Sequence, residues 1–427
     1  MVYDVFAVRH FLPIFALWLP LLAQCSDRSG CIKPIKAKQG PSKAEKELAA
    51  QLDRLPEDPR QALLLVEKLR CQRLRRRLLA AGGSGAFVVS APLPPLKEDE
   101  ALLSFFQHRG RIWRWIYHGG KAVRLPDREL STIEPLLIKA RDELEFGKLE
   151  GDFSRLFSLL HRLHRELLGD VGSKLAGVKH LAAMPDGLLR ALPLQLLVEG
   201  ETPLRFAGDS RSFSYAPCLA FTRPLRRFRA AIALTPDYAE KKKPKPAAGG
   251  ISEAKVIGQH FWSKHYDGAQ ATKQRLLAAL GERGTLVHFA GHGLATLGEK
   301  GANAELVFPD GSALGIAALS KRRIAAPLVV LGSCTTAYAA RFRDGKRLMA
   351  PTNVAEALLA AGAGSVVAAS WGVKDRESAR QMAVFYERLK EEGPALALAS
   401  AQRSRRQRIQ PPHPRFWGMY AVYGAWR

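Results

Sequence analysis

Cysteine is scarce in this chain. Cys25, Cys31, Cys71, Cys218 and Cys334 are the five in 427 residues. So few, so far apart, do not make a disulfide scaffold, and without a C-x-x-C pair they offer no cysteine-rich zinc site. Long apolar runs are also missing. None reaches the ~18–20 residues that cross a bilayer, which excludes a polytopic membrane protein. Acidic residues are in deficit, 40 against 65 Lys and Arg, for a net charge of +25. A basic chain attracts nucleic acid, anionic lipid or acidic proteins. Yet no zinc finger or RNP-like aromatic strand accompanies the charge. The basic residues gather at 68–77, 223–245 and 403–415, and the expectation is solvated surface charge rather than a specific nucleic-acid site.

Apolar residues make up 47% and charged residues 25%, the balance of a folded globular chain, and the length suggests two or three domains or one large one with an appendage. Residues 1–31 open with Arg9 and His10 ahead of an apolar run at 11–23, followed by Gln24, Ser26 and Asp27. The run has the length of a signal-peptide core and is too short to span a membrane. The expectation is export, secreted or periplasmic, with cleavage near Cys25. Gln24 stands where a lipid-modified cysteine is preceded by a small residue, which argues against an anchor at Cys25. Asp4 and Pro13 support the competing view, an apolar start to a cytoplasmic chain.

Residues 32–85 read as a linker followed by one helical hairpin. Leu48, Leu52 and Leu55 share one helical face. Asp58-Pro59 starts a second helix with a stripe of Ala62, Leu65, Val66 and Leu69. Cys71 on that helix reads as structural, and Cys218 as a core residue. Residues 86–177 form an α+β part. Strand-like runs occur at 86–90, 111–118 and 122–125, with a turn at Gly119-Gly120. Helical periodicity follows over 129–169, with Leu156, Leu159, Leu160, Leu163 and Leu167 as its buried stripe. His161 and His164 lie three apart there. No acidic or cysteine partner completes a metal set, so an ordinary half-exposed helix is expected and no metal site is assigned.

From 178 to 427 strands and helices alternate. Strands are expected at 178–184, 230–235, 285–290, 327–332, 365–370 and 419–423. Helices are expected at 252–263, 271–280, 352–361, 376–391 and 394–409. Continuous apolar runs such as LVHFA and LVVLG suit parallel strands covered on both faces. The fold class is therefore α/β with a mainly parallel sheet, its loops opening at the C-terminal strand ends.

Two strands end in reactive residues. The 285–290 run leads into Gly291-His292-Gly293, and the 327–332 run leads into Ser333-Cys334. On adjacent parallel strands, His292 and Cys334 emerge side by side. An imidazole there lowers the thiol pKa and protonates a leaving amine, while the amides of Gly293 and Cys334 receive an oxyanion. His288 lies inside the apolar run and reads as buried and structural. Against this stands the plainer view that a lone cysteine is a small buried hydrophobe and a lone histidine a satisfied core group.

The ordered blocks LVHFAGHG, LVVLGSC, NVAEALLAAGAGSVVAASWGVKD and PRFWGMYAVYG, with AAMPDGLLRALPLQLL upstream, resemble the CHAT domain, a caspase-like module of the clan that also holds caspases, separase and gingipains. The resemblance covers about 86–427. It implies a caspase-like catalytic domain over 178–427, preceded by an α+β part of the module over 86–177. It also implies a Cys334–His292 dyad, with Gly293 and Cys334 as the oxyanion amides and no cofactor. Gly291, and Gly332-Ser333 before the cysteine, depart from common family residues without removing a reactive atom. Asp375 sits where separase-like members carry an aspartate that lines the pocket for a basic P1 side chain; the alternative is a cap on the helix near Arg376. Trp371 is either a pocket wall or core. The activity implied is cysteine endopeptidase action on a protein or peptide substrate, with a catalytically silent protein-interaction scaffold as the competing function.

Overall fold

The structure, a computed structural model, describes residues 43–85, 87, 89, 91–147, 151–237, 248–298, 301–337, 340–343, 346–349, 352–409 and 412–427. The export-like segment, most of the linker and the lysine run at 241–246 lie outside these residues. Helix α1 (Lys43–Gln51) and helix α2 (Pro59–Ala80) form the hairpin. Asp58 accepts the Arg60 amide at 2.9 Å and Pro59 fills the first turn, so the local sequence alone sets this helix start.

Eleven strands make one sheet. In chain order they are β1 (Glu100–His108), β2 (Arg111–His118), β3 (Lys121–Glu129), β4 (His180–Met184), β5 (Ser212–Tyr215), β6 (Ala230–Thr235), β7 (Trp262–Asp267), β8 (Thr285–Phe289), β9 (Leu328–Leu331), β10 (Ser365–Ala369) and β11 (Tyr420–Gly424). Their spatial order is β3-β2-β1-β4-β5-β11-β10-β9-β8-β6-β7. Among the described residues only β1–β2, β2–β3 and β10–β11 run antiparallel within it. The architecture is the α/β, mainly parallel arrangement expected. β11 is the exception within the second half: it reverses direction against β10, so β1, β4, β5 and β11 form one parallel block and β10, β9, β8, β6 and β7 a second of opposite sense, with β2 antiparallel between β1 and β3.

The central strands bury both faces, which is why they are continuous apolar runs. Leu286, Leu328, Val330 and Val367 point to one layer, together with helices α3 (Leu130–Phe146), α4 (Ser154–Leu168), α5 (Ala248–His260), α8 (Asp375–Arg388) and α9 (Pro394–Gln407). Val287, Phe289, Val329, Leu331 and Val366 point to the other, with α1, α2, α6 (Lys273–Gly281) and α7 (Val354–Ala361).

Four expectations are corrected. The helix expected over 252–263 ends at His260 and Trp262 opens β7, a strand that, like β5, the periodicity did not reveal. The run 86–90 does not supply the first strand: residues 87 and 89, the described ones, are not in strand, and β1 begins at Glu100 instead. Cys71 and Cys218 are not independent core residues but a disulfide, with Cα atoms 5.5 Å apart across 147 residues of sequence. Spacing on one helix carries no information about so distant a partner. The basic clusters, finally, are not simply solvated. Arg70 is 1% exposed. It is paired with Glu67 at 3.1 Å and donates to Ser104 Oγ and to the Met184 and Phe105 carbonyls. Arg73 and Arg76 reach Asp186 and Glu45, while Arg405 and Arg406 reach Glu377 and Asp209. Much of the cationic density at 68–77 and 403–415 therefore holds the chain's own elements together.

Candidate active site

The site grows from the C-terminal ends of two neighbouring strands. β8 and β9 pair in parallel with Val287 opposite Val329 and Phe289 opposite Leu331. The Gly332 amide continues the ladder to the Phe289 carbonyl at 2.9 Å. Beyond this point both chains leave the sheet. β8 passes into a hairpin of strands His292–Gly298 and Gly301–Val307, and β9 passes into the turn that carries Cys334.

The two turns touch through backbone. A Cβ on Gly293 would lie 2.2 Å from the Cys334 carbonyl oxygen and 3.2 Å from Ser333 Cβ. No L side chain fits there, so the glycine after His292 is required by the approach itself. Thr335 Oγ1 donates to the Gly293 carbonyl at 3.4 Å. Thr335 adopts φ 56°, an uncommon conformation for a β-branched residue, held because its amide donates to the Trp371 carbonyl at 3.2 Å. Thr336 Oγ1 accepts the Ala369 amide at 3.0 Å, and the Ala337 amide donates to the Ala369 carbonyl. The Cys334 turn is thus stitched to the end of β10.

Cys334 is half-buried and, among the described residues, the one free thiol. The Val373 amide donates to its Sγ at 3.2 Å. Burial pushes the thiol pKa up. The Val373 amide pulls it down and the Asp375 carboxylate pushes it up again. His292 keeps solvent access at the mouth of the site. Burial of the ring lowers its pKa, with Asp375 opposing. Both shifts favour the neutral forms of the two groups. The expected lowering of the thiol by the imidazole is not what the environment produces: desolvation is the largest influence, and the groups that oppose it are backbone amides.

Asp375 is not the helix cap: Lys374 occupies that position, without a side-chain cap bond, and Asp375 lies in the first turn of α8. Its carboxyl pKa is raised, first by burial and then by Glu253, with His292 opposing. Asp375 thus interacts electrostatically with both His292 and Cys334. Trp371 is core, not pocket wall. It is 1% exposed, its indole N–H donates to the Arg415 carbonyl at 3.1 Å, and the Arg141 guanidinium packs over its ring at 5.1 Å.

His288 is fully buried, as its place in the apolar run implied, but it is not inert. Nε2 lies 2.8 Å from Glu253 Oε2 and Nδ1 lies 2.7 Å from the Tyr386 hydroxyl. The sequence reading missed Glu253, although an acid beside the core residues Ala254 and Ile257 of α5 was a legible signal. It could not have found the Val373 amide, since a backbone donor has no side-chain signature. His161 and His164 stay apart in function: His161 Nδ1 contacts the Val198 carbonyl at 3.0 Å and His164 Nε2 lies 4.0 Å from Glu199. Glu199 is an acidic neighbour that the sequence did not reveal. The described residues contain no grouping of three metal-ligating side chains.

No curated protein matches the chain in sequence. Among solved structures it is similar to the Arg-specific cysteine proteinase gingipain R. Identity is 10% and the TM-score 0.44, with 69% of this chain and 74% of that one covered. It is also similar to the separase chain of the Saccharomyces cerevisiae separase–securin complex, at 10% identity and TM-score 0.48, covering 84% of this chain and 31% of that one. Residues 158–425 match the CHAT domain, and with that match over most of its length the chain belongs to the CHAT domain family.

Proposed function

We propose that the protein is a cysteine endopeptidase that hydrolyses peptide bonds of protein or peptide substrates through Cys334 and His292. The observation that carries the reading is the contact between the two strand-end turns, which sets the Gly293 and Cys334 backbones against each other beside a thiol that accepts the Val373 amide. Cys334 Sγ attacks the scissile carbonyl carbon as the neutral His292 imidazole takes the thiol proton. The Gly293 and Cys334 amides stabilise the oxyanion, and His292 returns the proton to the leaving amine. Water, deprotonated by His292, then hydrolyses the thioester. Every proton moves between groups on this chain and the substrate, and the cycle calls for no cofactor.

Asp375 gives the reading its specificity. The electrostatic interaction of Asp375, at the start of α8, with both His292 and Cys334 supports a reading in which its carboxylate pairs with a Lys or Arg side chain at P1. The competing function, a silent protein-binding scaffold, draws on the raised thiol pKa, because a non-catalytic cysteine would also stay protonated. A P1-varied peptide library separates the two. Wild type should cleave after Arg or Lys. Cys334→Ala and His292→Ala should lose activity by at least about a thousandfold with folded spectra retained. Asp375→Asn should lose about tenfold to a hundredfold on basic substrates only. Undiminished cleavage by Cys334→Ala would refute the mechanism.

We also propose that the chain works outside the reducing cytoplasm. The charge-then-apolar pattern of residues 9–23 supports this, and so does the buried Cys71–Cys218 disulfide, a bond that persists in oxidising compartments. N-terminal sequencing of native material should begin near residue 25; a start at Met1 or Val2 would reject the proposal.

A further inference from the structure

Below the dyad lies a buried polar cluster that the mechanism above does not use. Glu253 on α5 is 2% exposed and His288 on β8 is 0% exposed. Glu253 Oε2 approaches His288 Nε2 at 2.8 Å. Its other oxygen accepts the Ser378 hydroxyl. Ser378, one turn along α8 from Asp375, also contacts the Tyr420 hydroxyl of β11 at 2.7 Å. The remaining ring nitrogen of His288 meets the Tyr386 hydroxyl of α8 at 2.7 Å. Four elements are joined in one group: the strand leading to His292, the helix beginning at Asp375, and their neighbours α5 and β11.

The cluster reaches the nucleophile strand as well. A Cβ on Gly332, two residues before Cys334, would lie 2.9 Å from Glu253 Oε2 and 3.4 Å from His288 Cε1. The bare backbone at Gly332 is what lets the acid sit against the end of β9. Burying polar groups in this way is costly, and a well-packed apolar group would generally do as much for stability. Its position between the catalytic strands and α8 supplies a further role.

We infer that Glu253, with His288 and Ser378, is the positioning device that holds the Val373–Asp375 segment against Cys334. Glu253 touches no reacting atom. It acts through Ser378, which fixes the first turn of α8 and, just ahead of it, the Val373 amide that donates to Sγ. The inference rests on the peptidase reading for its purpose, but not for its test.

The readout is the thiol. The titratable groups that interact electrostatically with Cys334 are Asp375 at the start of α8 and Tyr420 of β11. Of these Asp375 raises the thiol pKa, whereas the Val373 amide lowers it. Loosening the segment weakens both influences, and the Val373 amide is the larger of the two, so the thiol moves further up. Iodoacetamide alkylation of Cys334, followed by peptide mapping of the intact full chain from pH 6 to 10, reads this with no peptide substrate. Glu253→Gln and Ser378→Ala should each shift the midpoint to higher pH and slow alkylation at pH 7 by about threefold to tenfold. Asp375→Asn should shift it the opposite way. Ser378→Ala deletes one oxygen, so it serves even if Glu253→Gln does not fold. Wild-type profiles in the folded variants, whatever their melting temperatures, would overturn the inference and leave a merely structural cluster. Absence of peptide cleavage by wild type with these shifts present would instead sink the peptidase reading alone.

Discussion

Gly293 shows how sharply one residue can be constrained. The atom in its way is the Cys334 carbonyl oxygen at 2.2 Å, a backbone atom that cannot rotate aside. Gly293→Ala must push the His292 turn away from the Cys334 turn, which separates the two amides proposed to hold the oxyanion. Loss of one oxyanion donor typically costs 10²–10³ in kcat, so about a hundredfold or greater loss is expected. Retention of wild-type kcat/KM on a cleaved peptide would show that the two amides do not act together. His288 teaches a related lesson. Its burial was legible from the flanking Leu286, Val287 and Phe289, but its partner Glu253 lies 35 positions upstream on a different element.

Among the elements, α2 is the clearest case of local and distant causes combined. Its start is dictated by Asp58-Pro59 and its apolar stripe by spacing. Its attachment is not: Arg70 and Glu67 form a buried pair that reaches β1 and the end of β4, and Cys71 bonds Cys218. Burial raises the Glu67 carboxyl pKa against the pull of Arg70. A disulfide closing a loop of this length is worth about 2–5 kcal/mol. Cys71→Ala and Cys218→Ala should therefore each lower the melting temperature by several degrees. Each should leave peptide cleavage intact, because the bond lies in the layer of α2 and not at the strand ends. Equal melting temperatures for wild type and variants under non-reducing conditions would show that the bond is not formed.

At the scale of the whole molecule, stability should depend on acid through histidines buried in the neutral form. His180 is held between Ser212 and Ser214 and stacks on Trp426. Burial, with Arg427 adding to it, lowers its pKa to about 3. His413 accepts the Arg415 amide, and burial with the Arg415 charge lowers its pKa to about 4. Both folded values lie below the ordinary value of 6.5, so the unfolded chain binds more protons between them. Stability is complete above about pH 6.5 and falls as pH drops toward 4 and then 3. Near pH 5 each site costs about 2 kcal/mol. The melting temperature should decline from pH 7 to pH 5, less steeply in His180→Gln; a flat profile would contradict neutral burial of the two rings.

Patterning along the chain determined most of the strands and helices after residue 178, though not β5 or β7, together with the two-sided burial of β8, β9 and β10 and the emergence of His292 and Cys334 at strand ends. Those properties follow from period and from short-range chemistry, which a sequence carries in full. Only tertiary structure decided that β11 reverses against β10 and that the first strand begins at Glu100. Only tertiary structure paired Cys71 with Cys218, drew the arginines of 68–77 inward, placed Trp371 in the core, and set the Val373 amide on the thiol. Each depends on a partner far away in sequence or on a backbone atom, and its energy comes from desolvation and contact geometry, which no local pattern encodes.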